Sequence, residues 1–133
     1  MTVKDAAQVL AVLRANLPSA FLQMTEEDAA FMATEWSQMF ERERSELVLA
    51  AARTYCYRTT NGKTFPTPGQ IREIMQEIQR SVDACASGLP LIGEGFPPAV
   101  VRDITKSGEI RYQRAFGSAH PWIMLGGLPG GEK

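Results

Sequence analysis

The sequence predicts an all-α protein, with a small four-helix domain in residues 1–87 and a Gly/Pro-rich, mostly irregular tail in residues 88–133. Three observations favour this. Apolar residues recur at spacings of three and four through the first domain. Helix start signals precede these apolar runs. The tail holds 9 of the 11 glycines and 5 of the 8 prolines, a density that argues against continuous regular structure.

Two helices are predicted before residue 45. The first runs from about Val3 to Asn16, with Thr2 as its N-cap, and Pro18 ends it. The second begins at Thr25, a hydroxyl N-cap followed by three acidic residues that the helix dipole favours. Its apolar positions are expected to form one stripe: Phe31, Met32, Trp36, Met39 and Phe40.

Two further helices complete the predicted domain. The third begins near Ser45, is rich in alanine, and fades before Gly62. The fourth opens with Thr67 as N-cap, Pro68 in the first turn and Gln70 three residues past the cap, and Gly88 closes it. The side chains expected to form a common core are Leu13, Trp36, Phe40, Tyr55, Ile71, Ile74 and Ile78.

The tail is predicted to contain at most one short helix, near residues 98–106. It nevertheless keeps aromatic and large apolar residues, in which disordered segments are usually poor. This leaves two interpretations: the apolar cluster around Trp122 folds back on the helical domain, or it docks on a partner protein. Tryptophan and methionine are typical interface anchors. The tail residues predicted to bind a partner are Tyr112, Phe116, Trp122, Ile123, Met124 and Leu125.

The charge balance and the cysteine usage exclude several classes of protein. The 14 basic and 15 acidic residues provide no basic excess, so direct nucleic-acid binding is not expected. Arg53, Tyr57 and Arg58 are the weak candidates for it, because they interleave basic and aromatic side chains. Two cysteines without a CxxC motif indicate a reducing cytoplasm. No apolar run approaches the length of a membrane span.

No catalytic constellation is visible in the sequence. His120 is the only histidine, and Cys56 and Cys85 lie far from it and from each other, in no metal-ligand spacing. Both cysteines fall in apolar helical stripes, where a thiol usually serves packing. We therefore predict a non-enzymatic protein with no catalytic residue, no metal site and no cofactor.

Residues from about 10 to 80 resemble the phage replicative-helicase loader/inhibitor family. A short helix ends at Pro18, a helix with a central Trp36 follows, and an alanine-rich helix ends in Tyr55. A turn of the form F-P-x-x-x-x-I, Phe65 to Ile71, then opens the last helix. The resemblance implies a small helical accessory factor without enzymatic activity, located in the host cytosol. Its implied partner is a hexameric replicative helicase, contacted mainly through the tail.

Within this turn, Phe65 and Pro66 are weaker candidates for partner binding. Two other functions remain open from the sequence. One is a phage-encoded inhibitor of a host defence nuclease that acts by occluding a protein surface. The other is a small nucleic-acid-binding module.

Overall fold

The computed structural model describes residues 1–59, 64–89 and 95–116, and all regular structure in these ranges is helical. The all-α prediction is therefore confirmed. The chain forms two compact units, Met1–Met75 and Gln76–Lys133, called here the N-terminal and C-terminal units. A division at residue 87 stays a prediction. The elements in chain order are α1 (Val3–Asn16), a 3-10 turn (Pro18–Phe21), α2 (Glu26–Met39), α3 (Ser45–Arg58), α4 (Pro68–Ala86) and α5 (Pro98–Phe116).

Reciprocal capping boxes start three of the helices at the predicted positions. In each box a threonine hydroxyl accepts from a backbone N–H three residues on, and that residue's side chain accepts from the threonine N–H. In α2, for example, these distances are 3.1 Å from Asp28 N to Thr25 Oγ1 and 3.2 Å from Thr25 N to Asp28 Oδ2. The other pairs are Thr2 with Asp5 and Thr67 with Gln70. By contrast, α3 starts after Arg44, without a side-chain cap.

Removing the Thr25 cap should weaken α2 measurably. We expect Thr25→Ala to lower the free energy of unfolding by ~1 kcal/mol, because the Asp28 N–H loses its acceptor. Thr34→Ala is the matched control, since Thr34 is exposed and its hydroxyl only donates back to Ala30 O within the same helix. Urea denaturation of both variants checks this, and equal midpoints for the two would contradict it.

The core of the N-terminal unit is aromatic. α1 packs against both α2 and α3. The Trp36 side chain is 3% exposed, and its ring lies edge-to-face with Phe40 and with Phe65, at centroid distances of 5.6 and 5.8 Å. Phe21 meets Phe65 in the same manner at 5.0 Å. The Arg72 guanidinium covers the Phe40 ring at 5.1 Å. These edge-to-face contacts fix the orientation of α2 within the unit.

Most of the predicted core residues are buried, whereas two residues of the predicted α2 stripe are exposed. Leu13, Trp36, Phe40, Ile71, Ile74 and Ile78 are buried. Tyr55 is half-buried and donates its hydroxyl to Thr64 O at 2.9 Å. The placement of Phe31 and Met39 in the apolar stripe is wrong, since they are 68% and 51% exposed. Phe31 precedes Trp36 by five residues, which turns it by about 140° around the helix axis.

Helix α4 ends where the sequence indicates. Gly88 has φ of 90°, and its N–H donates to Cys85 O at 3.1 Å. The Leu89 N–H donates to Ala84 O at 3.0 Å. This pair of hydrogen bonds is the Schellman motif, which places glycine where the backbone needs a positive φ.

The short helix predicted near residues 98–106 is the first part of α5, and the irregular tail prediction is wrong for residues 107–116, because α5 extends to Phe116. Val100, Ile104 and Gly108 recur at spacing four and are all buried. At Gly108 the helix lies so close to α4 that an added Cβ would be 2.3 Å from Cys85 Cβ. Arg111 of α5 also forms an ion pair with Asp83 of α4, which holds the pKa of Asp83 below its usual range. Residues 117–133 lie outside the described residues.

Candidate protein-binding groove

An apolar groove runs between α1 and α2 in the N-terminal unit. It has a volume of about 430 Å³ and, on the α1 side, is lined by Val3, Ala7, Leu10, Ala11 and Arg14. Its other side is formed by Phe21, Met24, Thr25, Ala29, Ala30, Ala33 and Thr34. A shallower depression of about 660 Å³ adjoins it and shares Ala11, Arg14, Phe21 and Met24. We call the first cavity the α1–α2 groove.

The groove stays open because alanine occupies many of the positions that face it. Ala7 and Ala11 are one turn apart on α1, and Ala29, Ala30 and Ala33 lie on the facing part of α2. Their single methyl groups do not fill the space between the two helix surfaces. Such small residues allow another backbone to approach closely, as in tight helix packing.

Two large apolar side chains at the groove are more exposed than a core would leave them. Val3 lines the groove and is 48% exposed, and Leu22 lines the adjoining depression and is 80% exposed. Isolated exposed apolar residues are ordinary on protein surfaces. Apolar residues that line a continuous depression are instead typical of an interaction site.

The helix α2 is acidic, although none of its acidic side chains lines the groove. α2 carries four acidic residues and no basic residue: Glu26, Glu27, Asp28 and Glu35. Phe31 lies between Glu27 and Glu35, one helical turn from each, so the three form a stripe on the outer face of α2. We call it the acidic stripe. Within the described residues neither glutamate forms an ion pair. Arg14 is the only charged residue that lines the groove.

The predicted turn site has a structural role in this fold. Pro66 is fully buried, and Phe65 is half-buried between Phe21 and Trp36. Both residues therefore contribute to packing of the N-terminal unit. Partner binding through the exposed part of Phe65 stays a prediction.

The residues predicted as weak nucleic-acid contacts lie on the outside of α3. Arg53, Tyr57 and Arg58 are exposed, and Tyr57 is 58% exposed. Arg53 and Tyr57 are four residues apart and share one face of the helix. Two arginines and one tyrosine form a small patch in a chain with a net charge of −1.

Of the tail residues predicted to bind a partner, two lie in α5 and four lie outside the described residues. Tyr112 is half-buried in the last turns of that helix, and Phe116 is its final residue. Trp122, Ile123, Met124 and Leu125 lie outside the described residues, as does His120. Partner binding through these side chains stays a prediction.

The two cysteine thiols are protonated more readily than a free thiol. Cys56 is half-buried and Cys85 is buried, and burial raises the pKa of both thiols. A raised pKa lowers the thiolate fraction, which is the reactive form. In the described ranges no three His, Cys, Asp or Glu residues are placed to hold a metal ion. No helix of the described part is long and apolar enough to cross a membrane.

Sequence reasoning missed the α1–α2 groove altogether. One signal for the adjacent surface was available: Phe31 does not keep helical spacing with Trp36, which predicts that it faces away from the core, although it does not itself line the groove. In comparisons with known proteins no family model, no curated protein and no solved structure matches the chain.

Proposed function

We propose that this chain is a non-enzymatic protein-binding accessory factor and that the α1–α2 groove holds its partner. The observation that carries the proposal is the groove itself, an apolar channel with alanine walls beside exposed Val3 and Leu22. The resemblance to phage helicase loaders, carried by the order of Pro18, Trp36, Tyr55 and the Phe65 turn, implies that the partner is a hexameric replicative helicase, which the chain would regulate.

The lining of the groove suits a protein segment better than a small metabolite. Metabolite sites combine apolar walls with several convergent polar groups that orient the ligand. Only Arg14, Thr25 and Thr34 supply polar side chains here, and Thr25 already caps α2 through Asp28 N. An apolar channel between two helices is instead the usual receptor for an amphipathic helix.

The charge of α2 disfavours nucleic acid at the same surface. The four carboxylates of α2, which lie beside the groove and not in its lining, repel a phosphate backbone, whose binding depends on lysine and arginine contacts. This argument does not exclude the nuclease-inhibitor alternative, because an inhibitor would also bind through a protein surface. The identity of the captured protein distinguishes regulation of a helicase from inhibition of a nuclease.

The experiment compares partner capture by three proteins. Wild-type chain, immobilised and incubated with bacterial lysate, is expected to enrich a hexameric replicative helicase, identified by mass spectrometry. The groove variant Ala7→Gln/Ala11→Gln should lose at least about 90% of that capture, since two longer polar side chains occupy the channel. Both positions are exposed, and glutamine is a good helix former, so folding should be retained.

The matched control is Ala99→Gln, which makes the same change at an exposed position of α5. It should capture the helicase as wild type does. A tail variant, Trp122→Ala/Met124→Ala, tests the predicted contribution of the tail in the same assay. Enrichment of a nuclease would favour the inhibitor function, and unchanged capture by the groove variant would refute the groove as the partner site.

A further inference from the structure

The charges of α2 beside the α1–α2 groove define the chemistry of its occupant. We propose that the occupant is an amphipathic helix of the partner protein, with lysine or arginine residues along the edge of its apolar stripe that lies over α2. This inference rests on the proposed function and adds the partner segment to it.

The length of the groove matches a short helix. On α1 the lining extends from Val3 to Arg14, which are eleven residues apart and so separated by roughly 16 Å along the helix axis. That distance corresponds to three helical turns, enough for three or four apolar side chains at spacings of three and four. The exposed methyl groups of Ala7 and Ala11 let such a helix lie close to α1.

The acidic stripe specifies a cationic edge on that helix. Phe31 is 68% exposed and has Glu27 one turn before it and Glu35 one turn after it. An aromatic face attracts an ammonium or guanidinium group, and the two carboxylates can form ion pairs with the same or a neighbouring cation. An acidic partner segment would meet only repulsion from α2, because that helix has no basic residue.

Residues 1–40, which form both walls, contain Lys4 and Arg14 against five acidic residues, a net charge of −3. The acidic character therefore extends beyond the stripe. Arg14 lies at the end of the groove where α2 begins at Thr25. A bound helix would place its C-terminus there, since its free carbonyl groups carry partial negative charge that Arg14 stabilises.

The test uses the full-length chain and labelled synthetic peptides of about 18 residues, long enough for five helical turns. One peptide has leucines at helical spacing and lysines elsewhere. A second replaces every lysine with glutamate, and a third permutes the first so that its leucines form no stripe. Fluorescence anisotropy at physiological salt measures the three dissociation constants.

The leucine–lysine stripe peptide should bind at least about tenfold more tightly than either of the others. The variant Glu27→Gln/Glu35→Gln should weaken its binding about tenfold and flatten its salt dependence. Phe31→Ala should also weaken it, whereas Ala99→Gln should leave it unchanged. The groove variant Ala7→Gln/Ala11→Gln should lose the peptide, which separates binding in the groove from general attraction to an acidic protein.

Equal binding of the lysine and glutamate peptides would overturn the inference, as would unchanged binding of the lysine peptide to the groove variant. Loss of the lysate partner from the groove variant, without any preference for the lysine peptide, would leave the proposed function standing and reject the cationic helix. If the wild-type chain self-associates and the groove variant does not, the occupant is a second copy of the chain. That result would also reject the cationic helix.

Discussion

Replacing Trp36 with alanine should destabilise the protein more than any other change considered for the N-terminal unit. We expect Trp36→Ala to lower the free energy of unfolding by ~3–5 kcal/mol, since large aromatic truncations in packed cores have this effect. The side chain is 3% exposed and makes edge-to-face contacts with Phe40 and Phe65. A urea titration followed by far-ultraviolet circular dichroism measures the change.

The same helix provides the matched control for this prediction. Phe31 is also a large aromatic residue of α2, but it is 68% exposed, so Phe31→Ala should change stability by less than about 0.5 kcal/mol. If Trp36→Ala does not fold, Trp36→Phe keeps an aromatic ring and should give a smaller loss of the same sign. Similar losses for Trp36→Ala and Phe31→Ala would show that the assigned faces of α2 are incorrect.

The second large effect is expected at Gly108, where alanine should be destabilising although it is the better helix former. Alanine gains ~1 kcal/mol over glycine in a helix interior. Here its Cβ would lie 2.3 Å from Cys85 Cβ and 3.3 Å from Ala86 N, so α5 must move away from α4. We expect Gly108→Ala to cost ~1–3 kcal/mol net, in the range for overpacked cores, and Gly108→Val to cost more.

Variants of Cys85 show whether the close approach is the cause. Cys85→Ala keeps the Cβ, so Gly108→Ala should remain as costly in that background. Cys85→Gly removes the Cβ and should relieve the cost, which a double-mutant cycle measures as a coupling energy. Ser107→Ala, at the exposed neighbouring position, is expected to be nearly neutral. A stabilising Gly108→Ala would contradict the close packing of α5 on α4.

The local features of this protein can be predicted from its sequence. The threonine caps at residues 2, 25 and 67 and the positive-φ glycine at residue 88 act through neighbouring backbone groups, so a few adjacent residues suffice to predict them. The apolar stripe of α4, from Ile71 to Cys85, is buried as its spacing predicts. These features together give the all-α class and the starts of three helices.

Tertiary packing decided the features that depend on residues distant in sequence. Gly108 was counted among the glycines that argue against regular structure, yet in the fold it is the point where α5 passes closest to Cys85 of α4. The Phe65–Pro66 turn looks accessible in the sequence, but Phe21 and Trp36 pack against its aromatic ring and leave it half-buried. Composition cannot distinguish a flexible glycine from one selected for close contact, because only the opposing helix makes the difference.

The α1–α2 groove is also a feature that only the tertiary packing reveals. Alanine at residues 7, 11 and 30 predicts a helix in the sequence, and alanine is equally common on buried and exposed helix faces. Whether those methyl groups pack or remain open depends on how α1 and α2 cross, which the 3-10 turn at Pro18–Phe21 and the aromatic cluster around Trp36 set. Sequence periodicity gives the face of each helix, and only the packed unit shows which part of that face is left uncovered.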